Sequence, residues 1–101
     1  MSAAAFSPQA RRELIAAARW IAKDNPAAAR ALRDAVHRAA SQIGDHPEIG
    51  RVRSDLADEP YRFFLLTGFP YIVVYNAART PPLIVRILHG ARDLPDVLWE
   101  L

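Results

Sequence analysis

The 101-residue chain, 51% hydrophobic and 24% charged, has the size and apolar content for one domain, residues 1–101, with a single core. It contains no cysteine, which excludes a disulfide framework, a thiolate nucleophile and a cysteine-ligated zinc site. The net charge of +2 is unevenly spread: residues 7–43 hold seven Arg or Lys against three acids, giving +4 there and −2 elsewhere, as either a solvated helix surface or a site for an acidic partner or polyanion would require.

The opening "MSAAAFSPQ" lacks the basic and long apolar regions of a secretory signal. A short strand is expected over Ala3 to Phe6, weakened by its three alanines. Ser7-Pro8 predicts a helix start, because the serine oxygen can accept from a free N–H of the first turn and proline has no N–H to leave orphaned. Ala10, Leu14, Ala18 and Ile21, with Ala17 and Ala22 beside them, form the apolar stripe, with Arg12, Arg19 and Lys23 opposite. Trp20 falls at the edge of that stripe, either covering the next helix or meeting a partner. Asn25-Pro26 repeats the start signal, and Ala29, Leu32, Val36, Ala39 and Ile43 give a narrow seam that packs the second helix antiparallel on the first. Gly44 is the expected stop, and His37 reads as a surface residue.

Residues 44–60 are polar and predict a loop. Three β-rich runs follow at Tyr61 to Leu66, Tyr71 to Asn76 and Leu83 to His89, with short separators that predict an antiparallel meander. In the last run, alternation places Leu83, Val85 and Ile87 toward the helices and Ile84, Arg86 and Leu88 away from them. The most apolar window, "FFLLTGFPYIVVYNAA", is broken by Thr67, Gly68 and Pro70 and is too short to span a bilayer, so a cytosolic protein is expected. The closing "LPDVLWEL" puts Leu94, Val97, Leu98 and Leu101 at near-helical spacing, with Trp99 as an aromatic available to a partner. The architecture predicted from residues alone is α+β, a helix hairpin on one face of a small antiparallel sheet.

Most catalytic templates are missing. There is no nucleophile elbow, no phosphate-binding glycine loop and no histidine pair at metal-ligand spacing, so neither metal nor cofactor is expected. The histidines, His37, His46 and His89, fall in different elements. An arginine series remains in the β-rich half: Arg51, Arg53, Arg62, Arg86 and Arg92. Arginine forks bind phosphate or carboxylate and stabilise charge at a phosphoryl centre, and His89 could move protons near neutral pH. Strand parity, however, sets His89 on the face opposite Arg86 unless a bulge or the turn at Gly90 intervenes. Arg92-Asp93 is equally well read as a local ion pair tying down the strand end, worth about 0–1 kcal/mol.

"SPQARREL", "WIAKDNPAAA", "HPEIGRVRSDL", "YIVVYNA" and "RILHGARDL", in this order over nearly the whole chain, resemble the ParE toxins of bacterial toxin-antitoxin modules, within the RelE/ParE superfamily. The resemblance implies a β-α-α-β-β-β fold and a ParD-like antitoxin whose C-terminal segment wraps the toxin. Members of the superfamily act in two ways: RelE-like chains cleave messenger RNA on the ribosome with basic and tyrosine or histidine side chains, and ParE-like chains inhibit DNA gyrase. The ending "HGARDLPDVLWEL" is similar to ParE and offers no C-terminal Tyr or His.

The expectation is therefore a cytoplasmic gyrase inhibitor that arrests growth by binding, not an enzyme, without cofactor or membrane contact, and reaching operator DNA only through its antitoxin. Its expected partner surface comprises Trp20, Arg51, Arg53, Arg62, Arg86, Arg92 and Trp99. The alternatives are a ribosome-dependent RNA endonuclease using Arg51, Arg53, Arg86, His89 and Arg92, and a degenerate member that has lost toxicity.

Overall fold

In the computed structural model, residues 2–93 are described. The element order is β1 (Ala5–Phe6), α1 (Pro8–Ala22), α2 (Pro26–Asp45), β2 (Tyr61–Leu65), β3 (Tyr71–Asn76), β4 (Leu83–His89) and α3 (Gly90–Asp93). The expected β-α-α-β-β-β plan is present, followed by one short helical turn. The final turn predicted at residues 94–101, with Trp99, lies outside the described residues.

Both helices begin where the Ser-Pro and Asn-Pro pairs place them. Ser7 Oγ accepts from the Ala10 N–H at 3.0 Å and Asn25 Oδ1 from the Ala28 N–H at 3.1 Å. Ser7 also donates from Oγ to the Val85 carbonyl at 3.1 Å, so one residue caps α1 and fastens it to β4. The predicted stripes are the buried faces: Ala10, Leu14, Ala17 and Ala18 on α1, and Ala29, Leu32, Val36, Ala39 and Ile43 on α2, with Ile21 partly buried against the same core.

The sheet order is β1-β4-β3-β2. β2, β3 and β4 form the expected antiparallel meander, and β1 adds a parallel edge through Ala5 to Leu83 and Phe6 to Ile84, making the sheet mixed. The strand expected over Ala3 to Phe6 is only two residues long. Its predecessors run along α2 instead: the Ala4 N–H donates to the Ala40 carbonyl at 2.8 Å and Ala4 is buried. The approach is close, and a Cβ placed on Gly44 would stand 2.0 Å from the Ser2 carbonyl oxygen. Gly44 thus lies inside α2, which continues to Asp45, and its missing side chain admits the N-terminal segment.

The parity expected for β4 is corrected by a bulge. Val74 pairs with Arg86 but Tyr75 pairs with Ile84, so Val85 is the extra residue. Ile84 and Ile87 consequently belong to the core beneath the helices, and Val85 packs against the cluster on the far face with Leu88. A bulge shifts the phase of alternation by one, and in "LIVRIL" apolar residues stand in both phases, Leu83, Val85 and Ile87 in one and Ile84 and Leu88 around Arg86 in the other, so the pattern does not mark where the phase changes.

Candidate functional site

The long edge of β4 is covered by β1 only at Leu83 and Ile84. Farther along, α1 takes over through Glu13, the one acid in that helix. Its carboxylate accepts from the Ile87 N–H at 2.9 Å and from Arg86 Nε and Nη2 at 3.0 and 2.7 Å. The paired side chains retain 17% and 13% exposure, so a charge-assisted clamp closes the strand edge in a mostly dry setting. Arg86, expected on an open binding face, is thus held against α1.

At the other edge of the sheet, the loop before β2 folds back. The N–H and C=O of Arg51 bond reciprocally with those of Phe63, each at 2.8 Å, while the Arg51 side chain is exposed. Arg62 donates from Nη1 to the Glu48 and Gly50 carbonyls at 3.2 and 2.9 Å. Tyr75, fully buried, donates from its hydroxyl to the Pro47 carbonyl and accepts from the Gly50 N–H at 2.9 Å. Burial pushes the Tyr75 hydroxyl above its ordinary pKa against the lowering effect of the Gly50 N–H, so it stays a neutral donor. Tyr75→Phe should lower stability by about 1–2 kcal/mol in chemical denaturation, because two loop backbone groups lose their partner.

His89 caps α3. Its Nδ1 accepts from the Arg92 N–H at 3.2 Å, and Asp93 Oδ2 accepts from the His89 N–H at 2.8 Å, a reciprocal cap like a capping box but with the acid four rather than three residues on. The imidazole stands edge-on to Tyr71, a residue of the core under the helices, with centroids 5.4 Å apart. The helix-side parity expected for His89 is therefore present, and Nδ1 is engaged.

Arg92 Nε bonds Asp93 Oδ1 at 3.1 Å. Burial raises the Asp93 carboxyl, but the bonds from Arg92 and the His89 N–H outweigh it and hold the carboxyl below its ordinary pKa. A carboxylate lowered in the fold contributes stability above its unfolded pKa and loses it as pH falls through the folded one. Acidification from about pH 5 to pH 3 should therefore destabilise the wild-type chain more than Asp93→Asn, as read from urea midpoints at each pH.

The five arginines do not converge. Arg62 on β2 is separated from Arg86 on β4 by β3, and Val74 stands between Phe63 and Arg86 in register. Arg53 forms a two-point pair with Asp55 in the exposed loop, at 3.0 and 2.8 Å. The sheet face away from the helices is an apolar cluster of Phe63, Val74 and Leu88, with Leu56 and Ala57 packed on it. Among the expected partner residues Trp20 is open, 66% exposed with Lys23 Nζ 4.9 Å from its ring centroid. Trp99 lies outside the described residues.

Sequence reasoning missed Glu13, Tyr75 and Phe6. A lone acid among basic residues on α1 was the available signal for Glu13. Phe6 has none in sequence: its ring lies 5.8 Å from both the Arg11 guanidinium and the His37 imidazole, a contact made only when β1 and the hairpin assemble.

Residues 4–94 match the family described as ParE toxin of type II toxin-antitoxin system, parDE. The chain is 32% identical to Toxin RelE3 of Caulobacter vibrioides over 90 residues, covering 89% of this chain and 96% of the relative. Its fold is similar to that of a chain from the chromosomal ParDE TA system of P. aeruginosa, with a TM-score of 0.73 at 16% identity over 88% of this chain and 96% of that one. With its helix pair, mixed sheet and nearly full-length match, this chain belongs to the ParE toxin family of type II toxin-antitoxin systems.

Proposed function

We propose that this toxin arrests growth in the bacterial cytoplasm by binding DNA gyrase, without covalent chemistry of its own, and is neutralised by a ParD-like antitoxin. The observation that carries this reading is the dispersal of the arginines. Arg53, Arg62, Arg86 and Arg92 are each engaged by a nearby carboxylate or backbone carbonyl, and the outer sheet face is apolar. RNA cleavage needs a cation array and a proton carrier aimed at one phosphate, and His89 instead caps α3 on the helix side. The similarity to a chain from a ParDE system supports an antitoxin as the partner.

Ribosome-dependent messenger RNA cleavage is the second reading, favoured by the RelE name of the Caulobacter relative; it would use Arg51, Arg53, Arg86, His89 and Arg92. Purified gyrase titrated with the toxin separates the two. Loss of supercoiling with accumulated cleaved DNA, reversed by antitoxin, is the expected result. Unchanged supercoiling together with transcript cleavage on translating ribosomes would replace the gyrase reading with the nuclease one.

A further inference from the structure

The solvent sides of α1 and α2 carry two rows of cations. On α1, Arg12, Ala16, Arg19 and Lys23 follow one another at helical steps of four, three and four, opposite the buried stripe of Ala10, Leu14, Ala17 and Ala18. On α2, Arg30, Asp34 and Arg38 succeed one another at steps of four. Every residue of both rows is exposed. Among the described residues none of these cations joins a salt bridge: Arg12 Nη2 donates to the neutral Gln9 Oε1 at 2.9 Å, and Lys23 lies over the Trp20 ring. Glu13, the one acid of α1, is turned to Arg86. Other acids gather in the loop before β2, where Glu48, Asp55, Asp58 and Glu59 are all exposed.

The chain therefore has a cationic side and an acidic side, and in the field of a polyanion it turns the helices forward. From this arrangement we infer that the two rows hold the phosphate backbone of duplex DNA, so that toxin docked on gyrase grips the DNA the enzyme carries as well as the enzyme. The inference rests on the gyrase reading for the source of the duplex and adds a second contact to it. Between their cations the rows offer only Ala16 and Asp34, which gives a protein partner no apolar or aromatic anchor for the core of an interface. Phosphates require none, because cations that displace condensed counterions supply the affinity. Arg12 and Lys23 lie about 16 Å apart along the helix axis, a length over which one strand of B-DNA presents about five phosphates. Arginine forks match phosphate oxygens, and the lone Asp34 weakens the α2 row without reversing its sign.

The test starts with fluorescence anisotropy of the purified full chain and a short labelled DNA duplex, with an RNA duplex of the same sequence and a glutamate-rich peptide as rival probes. DNA binding is expected at low salt, with a slope between about −4 and −5 in log K against log salt, as about five neutralised phosphates require. Arg12→Ala/Lys23→Ala should weaken it at least about tenfold and reduce the slope by about 2. Arg79→Ala, which removes an exposed cation before β4, should change neither. Thermal unfolding confirms that each variant is folded. Affinity for gyrase is then measured with and without bound DNA. Wild-type toxin should hold the DNA-bound enzyme at least about tenfold more tightly, and Arg12→Ala/Lys23→Ala should erase that difference while keeping the affinity for free gyrase.

Absence of duplex binding, an equal loss with Arg79→Ala, tighter binding of the RNA duplex or the glutamate peptide, or an affinity for gyrase that DNA leaves unchanged would overturn the inference. Failure of the gyrase reading looks different. Toxin that binds the duplex through these rows but ignores gyrase in both forms removes gyrase as the target and keeps the DNA surface.

Discussion

Glu13→Ala should lower the stability of this toxin by about 3 kcal/mol, seen as a fall in the urea midpoint with little change in slope. The side chain accepts from the Ile87 N–H and from two nitrogens of Arg86, so its removal uncovers the edge of β4 and takes the carboxylate from a guanidinium that is only 13% exposed. Loss of one partner of a buried pair costs about 3–5 kcal/mol, and the residual exposure of both groups places the expectation at the lower end. Glu13→Gln retains an acceptor for the Ile87 N–H and removes the charge, so it should recover part of the loss. If alanine and glutamine variants were as stable as wild type, α1 would have to be held to β4 by apolar packing alone.

Gly44→Ala is expected to cost about 2–3 kcal/mol, an unusual outcome for a substitution that raises helix propensity. Alanine in a helix interior normally gains up to about 1 kcal/mol over glycine. Here the added Cβ would lie 2.0 Å from the Ser2 carbonyl oxygen and 2.8 Å from the Ala3 Cα, so the N-terminal segment must lift from α2. The bond from the Ala4 N–H to Ala40 and the β1 pairing would then be strained together. Thermal unfolding of the purified variant checks this, and a raised midpoint would show that the segment moves aside at no cost.

The helix hairpin was legible because its signals are local. Ser7-Pro8 and Asn25-Pro26 state where each helix starts, and a three-four apolar rhythm states which side is buried. The meander was legible for the same reason, from short runs separated by Gly and Pro. The sheet edges were less so. Alternation cannot register a bulge flanked by apolar residues of both phases, Ile84 and Val85, so Val85 was assigned to the wrong face, and the truncation of β1 depends on Ala4 finding a carbonyl on α2.

The candidate site was the least legible part. Arg51, Arg53, Arg62, Arg86 and Arg92, in one half of the sequence, suggest a shared surface, but the partners that separate them are acids and carbonyls elsewhere: Glu13 for Arg86, 73 residues away, and Glu48 and Gly50 for Arg62. Conversely, a groove between the helices joins Phe6 with Arg11, Arg19 and Arg33 from three successive elements, and its apolar floor became visible only when β1 was placed beside the hairpin.

The strand order has a consequence for biosynthesis. Among the described residues β4 is the last strand made, yet it lies inside the sheet between β1 and β3 and receives Ser7, Glu13 and the apolar face of α1. A nascent chain that has emerged only as far as β3 has neither the support for its first strand nor the anchor for its first helix. Such long sequence separations delay closure of the fold until β4 is available. Native toxin therefore comes into being only after β4 has left the ribosome, and an antitoxin already present at that moment meets a chain still completing its sheet.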